Sequence, residues 1–263
     1  MLPSPCYIVS DLHIGIAAPD VERRFVAFTE QVAAAGGSLV VNGDLFDFWF
    51  EWRTVIPRTG YRALAALARL RELGLPVLWL AGNHDCWGGE VLREDVGVEF
   101  VDQWRGRIAG WDAYVHHGDG LRVVEDRAYR RLRTVLRHPA AIRAFRWIHP
   151  DWGSRLAMGS SSASRNHADH GHDEGAGLRR VALDLMAEPG GPELVVFGHS
   201  HQTALERAPR GGVYANAGSW LDEPTYLRVT TDGVELRRLG ASAGEGECLH
   251  VLHRAAQEPL AEP

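Results

Sequence analysis

The first third of the chain alternates short apolar runs with amphipathic segments, and this order restricts the fold more than any other feature of the sequence. Apolar runs at 7–9, 39–41 and 76–80 are typical of buried strands. Residues 21–35 and 58–73 lie between them, carry apolar side chains at helical spacing and are followed by glycines, which predicts two helices. A β-α-β-α-β order predicts parallel strands joined by crossover helices, and therefore an α/β fold.

The pattern changes after residue 98. It predicts short strands at 98–101, 104–108 and 112–115, a helical stretch at 121–158, a loop rich in Ser, Gly and His at 159–177 and a helix at 178–186. One more buried strand precedes four strands at meander spacing, predicted at 194–197, 203–206, 212–215, 225–229 and 234–239. We therefore expect one domain over residues 1–240, with a helical lid insertion and its loop at 121–175, and a flexible tail at 241–263.

Each buried strand runs directly into a cluster of polar residues. The five clusters are Asp11-Leu12-His13, Gly43-Asp44-Leu45-Phe46-Asp47, Gly82-Asn83-His84-Asp85, His116-His117-Gly118-Asp119 and Gly198-His199-Ser200-His201. Ligands of open α/β sheets collect at the carboxyl ends of the strands. Any one cluster alone is compatible with an ordinary turn, but five clusters that all hold Asp, Asn or His favour a single convergent site.

The residue types in these clusters suit a pair of divalent cations. Carboxylates, imidazoles and an amide oxygen form a mixed ligand set that suits Mn²⁺, Fe²⁺ or Zn²⁺. Asp11 and His13 lie two residues apart, so an extended strand end directs both to the same side. Two metals ~3.5–4 Å apart need a bridging carboxylate and serve displacement at phosphorus. Asp44 is the best bridge because Gly43 before it leaves the backbone free to turn.

Taken together, the clusters resemble the calcineurin-like metallophosphoesterases over residues 9 to 220. The resemblance implies a four-layer α/β/β/α sandwich, classed as α+β in some schemes, around a dimetal centre. One metal would be held by Asp11, His13, Asp44 and His201, and the other by Asp44, Asn83, His117 and His199. We expect Mn²⁺ first, with Fe²⁺ or Zn²⁺ as alternatives.

The same resemblance implies the catalytic groups. A hydroxide that bridges the two metals would attack phosphorus. His84 would contact the phosphate and protonate or stabilise the leaving group, beside Asn83 in its turn. Asp47 would support His84 or a metal ligand from behind.

The charge of the chain is unevenly distributed. The net charge is −6, and all 28 positive residues are Arg, which excludes a Walker phosphate loop and a lysine Schiff base. Residues 121–165 hold ten Arg against three acidic residues, with aromatic and aliphatic residues between them. A solvated basic helix face is the ordinary interpretation. The functional one is a lid that binds an anionic amphiphile or contacts anionic lipid headgroups.

Two of the clusters and the insertion resemble one branch of the family, the UDP-2,3-diacylglucosamine pyrophosphatases of lipid A synthesis. The resemblance lies in residues 10–13, in residues 43–49 and in the insertion that precedes the final His pair. It implies hydrolysis of UDP-2,3-diacylglucosamine to UMP and 2,3-diacylglucosamine 1-phosphate. Independently of the resemblance, some side chains of the apolar run 45–52 should belong to the core, and others should line a pocket mouth or contact an apolar ligand. Candidate substrate contacts, by position alone, are Arg122, Tyr129, Ser160, Arg165 and Asn166.

One departure from that branch leaves the substrate open. Its members usually carry Arg where this chain has His84, so the alternative is a metallophosphodiesterase or pyrophosphatase that acts on a soluble nucleotide or on nucleic acid. A nuclease would use a basic cleft, which the insertion could supply. A protein phosphatase suits the apolar residues less well. A metal-free scaffold would lack ligands, and none is missing here.

Several features predict a cytoplasmic enzyme. Three Cys cannot form a disulfide framework, the N-terminus does not resemble a signal peptide, and no run approaches the ~20 apolar residues of a bilayer span. We expect peripheral contact with the cytoplasmic face of the inner membrane through the Arg-rich insertion. The expected partner is the UDP-linked diacylated sugar, with no nucleic acid and no obligate protein partner. His167, His170 and His172 are best explained as part of a solvated loop.

Overall fold

The structure, a computed structural model, describes residues 1–157, 174–240 and 246–254. The strands are β1 (Cys6–Val9), β2 (Ser38–Asn42), β3 (Val77–Leu80), β4 (Glu99–Val101), β5 (Gln103–Ile108), β6 (Trp111–His116), β7 (Leu194–Phe197), β8 (Ala204–Arg207), β9 (Val213–Asn216), β10 (Thr225–Val229), β11 (Gly233–Arg238) and β12 (Glu247–His253). The helices are α1 (Pro19–Ala35), α2 (Tyr61–Glu72), α3 (Arg127–Leu136), α4 (Pro139–Phe145), α5 (150–157, as far as it is described) and α6 (Glu174–Ala187), with a π-helical turn at Val91–Asp95.

The strands form two sheets. The first has the order β12-β11-β10-β1-β2-β3-β4, and the second has the order β5-β6-β7-β9-β8. Strands β1 to β4 run parallel to one another, as the β-α-β-α-β pattern predicts. In the second sheet, β6, β7 and β9 are also parallel. The carboxyl ends of the parallel strands in each sheet therefore lie at one edge of that sheet, where the polar clusters begin.

The alternation of side chains along the strands builds a core on each face of the first sheet. Ile8 of β1 faces the second sheet, in the same cluster as Val115 and Val196. Its neighbour Val9 faces the other way, in the cluster that contains Phe25 and Phe28 of α1. A third cluster packs α6 against the outer face of the second sheet. The four-layer α/β/β/α sandwich is thereby confirmed.

The predicted helical stretch at 121–158 is divided into three helices by its prolines. Pro139 and Pro150 have no N–H to donate and clash with a preceding helical turn, so each begins a new helix instead of continuing the old one. The predicted helix at 178–186 begins earlier, at Glu174, inside the predicted loop. The rest of that loop, 159–173, lies outside the described residues.

The expected flexible tail is wrong for part of its length. Residues 247–253 form β12, which pairs antiparallel with β11 and extends the first sheet. The strand is short, lies at the sheet edge and is exposed along most of its length, so its sequence carries little of the apolar signal that marks a buried strand. Among the described residues, no helix combines the length and apolar character needed to cross a bilayer.

Candidate metal centre

The turns that follow β1, β2, β6 and β7 are joined to one another by backbone hydrogen bonds. The His13 amide donates to the Asp44 carbonyl at 3.0 Å, and the Gly198 amide donates to the His117 carbonyl at 2.7 Å. Gly43 permits the close approach of the two sheets, because a Cβ on it would lie 2.4 Å from His117 Nδ1. The polar clusters of both sheets therefore share one site.

Asp11, His13 and His201 form the first group of candidate ligands. His201 Nε2 lies 3.4 Å from Asp11 Oδ1 and 3.2 Å from His13 Nε2. The potential ligand atoms of all three residues lie within 4.8 Å of one another. Two imidazole nitrogens and a carboxylate oxygen thus converge on one point, as a metal ion requires.

Asp44 lies between this group and the second one. Its Oδ2 is 3.9 Å from His13 Nε2 on one side and 3.3 Å from His117 Nε2 on the other. His117 Nε2 also lies 3.2 Å from Asn83 Oδ1, and His199 completes a group with Asp44 and His117. The structure therefore brings all seven predicted ligands together, with Asp44 at the predicted bridging position. That they bind metal stays a prediction.

The backbone is strained at five of these seven residues. Asp11, His13, Asp44, His199 and His201 have positive φ between 47° and 63°, in the left-handed region. Residues other than glycine rarely adopt this conformation, and it costs energy that the surrounding structure must supply. Ala109 is the only other non-glycine residue with positive φ in the described part of the chain. Strain is therefore concentrated where the polar side chains converge.

Hydrogen bonds to neighbouring residues fix the orientations of the Asp11 and His117 side chains. Asp11 Oδ2 accepts from the Ser10 hydroxyl and from the His199 amide, while its buried Oδ1 makes no hydrogen bond. His117 Nδ1 lies 2.8 Å from the Asn42 carbonyl, which leaves Nε2 directed at Asp44. Such partners hold metal ligands in place in known metal sites. The sequence reasoning assigned nothing to Ser10 or Asn42.

Asp85 connects two of the turns through its buried carboxylate. It accepts hydrogen bonds from the amides of Leu45 at 2.9 Å and Gly82 at 2.8 Å, and from the Trp79 indole at 3.3 Å. Burial, followed by the charge of nearby Asp44, raises the pKa of Asp85 to about 7. Asp85 was visible in the motif but was given no function by sequence reasoning, because its partners are backbone amides that lie 40 residues and three residues away.

The electrostatics of the site suit cations. Burial alone would raise the pKa of the Asp44 carboxyl, but His117 and His84 hold that pKa well below its ordinary value. Burial alone would lower the pKa of His117, but Asp44 and Asp11 raise it well above its ordinary value. These buried carboxylates are therefore ionised and require positive charge beside them. Together with the imidazoles and the Asn83 amide, this donor set fits two divalent cations.

His84, the predicted catalytic group, lies beside the candidate ligands on the side of the site that is open to solvent. Its Nδ1 lies 2.9 Å from the Asp47 carbonyl, and its Nε2 lies 4.0 Å from Asp44 Oδ2. The His84 side chain is 13% exposed and that of His201 is 34% exposed, whereas those of Asp44 and His117 are 2% and 0% exposed. The site therefore opens to solvent beside His84 and His201. Asp47 Oδ1 lies within 3.6 Å of both His84 Nδ1 and His13 Nδ1, consistent with its predicted support of either ring.

The candidate substrate contacts are less well placed. Arg122 pairs with Asp126 at 2.6 Å, and the Tyr129 hydroxyl donates to Asp119 at 2.7 Å. Ser160, Arg165 and Asn166 lie outside the described residues. In the apolar run 45–52 every residue is buried except the half-buried Phe48, so the run packs inward instead of lining a broad pocket mouth. Phe50 packs edge-on against Phe145 of α4, and Trp52 contacts the same ring at a tilt.

Known proteins that are similar to this chain belong to one family of phosphoesterases. The profile of the calcineurin-like phosphoesterases matches residues 4–203. A UDP-2,3-diacylglucosamine hydrolase of Nitrosococcus oceani is 28% identical over 86% of this chain and 92% of its own length. Another, of Porphyromonas gingivalis, is 31% identical over 75% of this chain and 83% of its own length. Among solved structures, a predicted phosphoesterase of Streptococcus pneumoniae covers 95% of this chain and 97% of its own, at 12% identity and a TM-score of 0.45.

His116, beside a candidate ligand, has a structural position. Its Nδ1 accepts a hydrogen bond from the Gly118 amide at 2.8 Å and so holds the turn that carries His117. Burial lowers the pKa of His116 to about 4. The ring is therefore neutral in the folded protein at neutral pH.

This pKa predicts a pH dependence of stability. Between about pH 6.5 and about pH 4 the unfolded chain takes up a proton at His116 and the folded chain does not, so the free energy of unfolding falls as the pH falls. His116→Gln lacks this titration. In metal-free protein, the difference in unfolding free energy between wild type and variant should shrink over this window, by at most about 3 kcal/mol. Urea unfolding curves across the window measure it, and a constant difference would contradict the assignment.

Proposed function

We propose that this chain, which belongs to the calcineurin-like phosphoesterase family, hydrolyses the pyrophosphate bond of UDP-2,3-diacylglucosamine. Family membership makes it a metal-dependent phosphoesterase, and the grouped Asp and His residues support a site for two divalent ions. The position of Asp44, whose Oδ2 lies between His13 and His117, is the observation that carries the reaction type. The substrate is proposed from relatives that are named for it and span most of the chain.

The residues of the site divide the chemistry between them. Bound divalent ions supply a water-derived nucleophile at neutral pH and neutralise charge on the phosphoryl oxygens. Asp11, His13, Asp44 and His201 would hold one ion, and Asp44, Asn83, His117 and His199 the other. His84, which is open to solvent and oriented by the Asp47 carbonyl, would contact the phosphoryl group and give a proton to the leaving oxygen. Among Mn²⁺, Fe²⁺ and Zn²⁺, we propose Mn²⁺ as the resident ion.

The helical insertion, which the structure describes over residues 121–157, supports an amphiphilic substrate. Large apolar side chains are exposed along it, namely Val123, Val124, Leu132, Val135, Leu136, Trp147, Trp152 and Leu156. Trp147 is the most exposed of them, at 88%. The same segment carries nine of the chain's Arg residues. Apolar and cationic groups on one segment suit a ligand that combines acyl chains with phosphates.

The same surface supports contact with a membrane. A diacylated substrate partitions into a bilayer, so its enzyme must reach it at the membrane surface. Basic residues together with exposed indoles bind anionic lipid headgroups. We therefore propose that the enzyme is cytoplasmic and contacts the inner face of the inner membrane through the insertion. Nothing in this proposal requires a protein partner or nucleic acid.

A second candidate function rests on His84. Where the lipid A branch usually carries Arg, this chain has His84, and His at this place is the general pattern of the wider superfamily. The alternative is hydrolysis of a soluble nucleotide diester or pyrophosphate, or of nucleic acid bound to the basic insertion. Substrate assays separate the two functions.

Asp44→Ala should abolish hydrolysis, because one side chain serves both proposed metals. We expect a loss on the order of a thousandfold in kcat and fewer than two metal ions per chain by elemental analysis. Asp112→Ala removes a half-exposed carboxylate that pairs with Arg105 far from the site, and should change neither quantity. An Asp44→Ala protein with both metals and the full rate would refute the proposed centre.

The diacylated UDP-sugar should be the preferred substrate. We expect kcat/KM for it to exceed that for soluble nucleotide diesters and dinucleoside polyphosphates by on the order of a hundredfold, because burial of acyl chains adds binding energy. Release of UMP and of the diacylglucosamine 1-phosphate is followed by chromatography. Rapid turnover of a soluble substrate with none of the lipid would favour the alternative function.

The protein should bind vesicles that contain anionic lipid more strongly than neutral ones, and less strongly as salt is raised, because each basic residue near an anionic surface contributes ~1 kcal/mol. Trp147→Ser should weaken the binding. Tyr61→Ser removes an exposed aromatic residue outside the insertion and serves as the matched control. Co-sedimentation measures the bound fraction, and equal binding to both kinds of vesicle would exclude the proposed contact.

A further inference from the structure

The insertion is attached to the metal centre through one buried carboxylate. Asp119 follows His117 by two residues and is fully buried. Its Oδ2 accepts a hydrogen bond from the Tyr129 hydroxyl at 2.7 Å. Arg133 Nε and Arg137 Nη2 each lie 3.5 Å from the same oxygen. We call these four residues the Asp119 cluster.

The members of the cluster on the insertion are spaced four residues apart. Positions 129, 133 and 137 therefore share one face of α3 and its C-terminal cap. No residue of α3 is buried, and Leu132 and Val135 on other faces are 52% and 61% exposed. Apolar packing thus contributes little to the placement of α3, which depends on the charges and hydrogen bonds of the Asp119 cluster.

The C-terminal end of α3 reaches a second turn of the metal centre. Arg137 donates to Asp102 Oδ1 at 2.6 Å and contacts the Gly82 carbonyl at 3.4 Å, directly before Asn83. The Trp87 indole, three residues after His84, donates to the Leu136 carbonyl at 3.1 Å. The helix that the Asp119 cluster holds therefore lies against the turns that carry His117 and His84.

We propose that Tyr129, Arg133 and Arg137 are positioning residues that act through Asp119. They hold α3 at a fixed place over the metal centre and so determine how a large amphiphilic substrate is presented to His84. The identity of that substrate rests on the proposed function. A buried carboxylate that loses one of its partners is left uncompensated, so removal of any one of the three loosens the attachment of the helix. A small substrate that reaches the metals without the insertion does not need this attachment.

The test compares two substrates in the metal-loaded, full-length enzyme. Arg133→Gln and Tyr129→Phe should lower kcat/KM for the diacylated UDP-sugar by about tenfold or more, and lower that for the small diester bis(p-nitrophenyl) phosphate far less. Thr134→Val is the matched control, since Thr134 lies on the same helix, is exposed, lies outside the cluster and donates its hydroxyl to the Arg130 carbonyl within the helix. Equal losses on both substrates, or no loss on either, would overturn the proposal.

A double-mutant cycle tests whether the residues act through Asp119. The effect of Arg133→Gln should largely disappear in an Asp119→Asn background, because the charge it serves has been removed. Full additivity of the two substitutions would overturn this mechanism. Tyr129→Phe repeats the cycle with a milder change if Arg133→Gln folds poorly, since it removes only one hydroxyl.

Amide hydrogen exchange gives a readout that does not depend on the substrate. Exchange over 127–136 should accelerate in Arg133→Gln and Tyr129→Phe and remain close to the wild-type rate in Thr134→Val. If the wild type cleaves the small diester but not the diacylated sugar, the proposed function is wrong. Hydrogen exchange then still tests whether the Asp119 cluster holds α3 in place. Accelerated exchange would then support the positioning of α3 by the cluster, and unchanged exchange would overturn it.

Discussion

Two ionised carboxylates, Asp11 and Asp44, lie fully buried at the edge where the two sheets meet, and the rest of the structure depends on compensating their charge. Burial of uncompensated charge is too costly for a fold of marginal stability. The imidazoles beside them, chiefly that of His117, and the proposed cations supply the compensation. The parallel strands contribute to it because their carboxyl ends lie at one edge, so a short turn after each strand can reach the same point.

This arrangement requires strained backbone at several of the candidate ligands, and hydrogen bonds from neighbouring residues hold that strained backbone in place. Five candidate ligands adopt left-handed conformations that their residue types disfavour. The hydrogen bonds of Ser10, Asn42 and Asp85 join the turns and leave one face of each ligand directed inward. These contacts prevent the strained backbone from relaxing. A site that is preorganised in this way needs little rearrangement when charge develops on a phosphoryl group.

The insertion is held on a different principle from the sandwich below it. The sandwich is stabilised by three apolar clusters, whereas α3 buries none of its residues and is held by polar contacts to two turns of the metal centre. Exposed apolar side chains on its other faces are then available to a ligand or a membrane. A surface segment placed by polar contacts can change its apolar side chains without disturbing the core.

The sequence by itself determined the order of parallel strands and helices and the polar clusters at the strand ends, because apolar runs mark buried strands and parallel strands bring their polar ends together. Its resemblance to the calcineurin-like phosphoesterases added the four-layer sandwich and the set of seven converging residues. The prolines at 139 and 150 also marked in the sequence where the insertion divides. The sequence did not determine β12 or the attachment of Tyr129 to Asp119. Only the tertiary structure decided these, since an exposed edge strand lacks an apolar signal and the partners of Asp119 and Asp85 are set by contacts between separate elements. Local patterns report burial and periodicity, while the pairing of buried polar groups depends on which elements the fold places side by side.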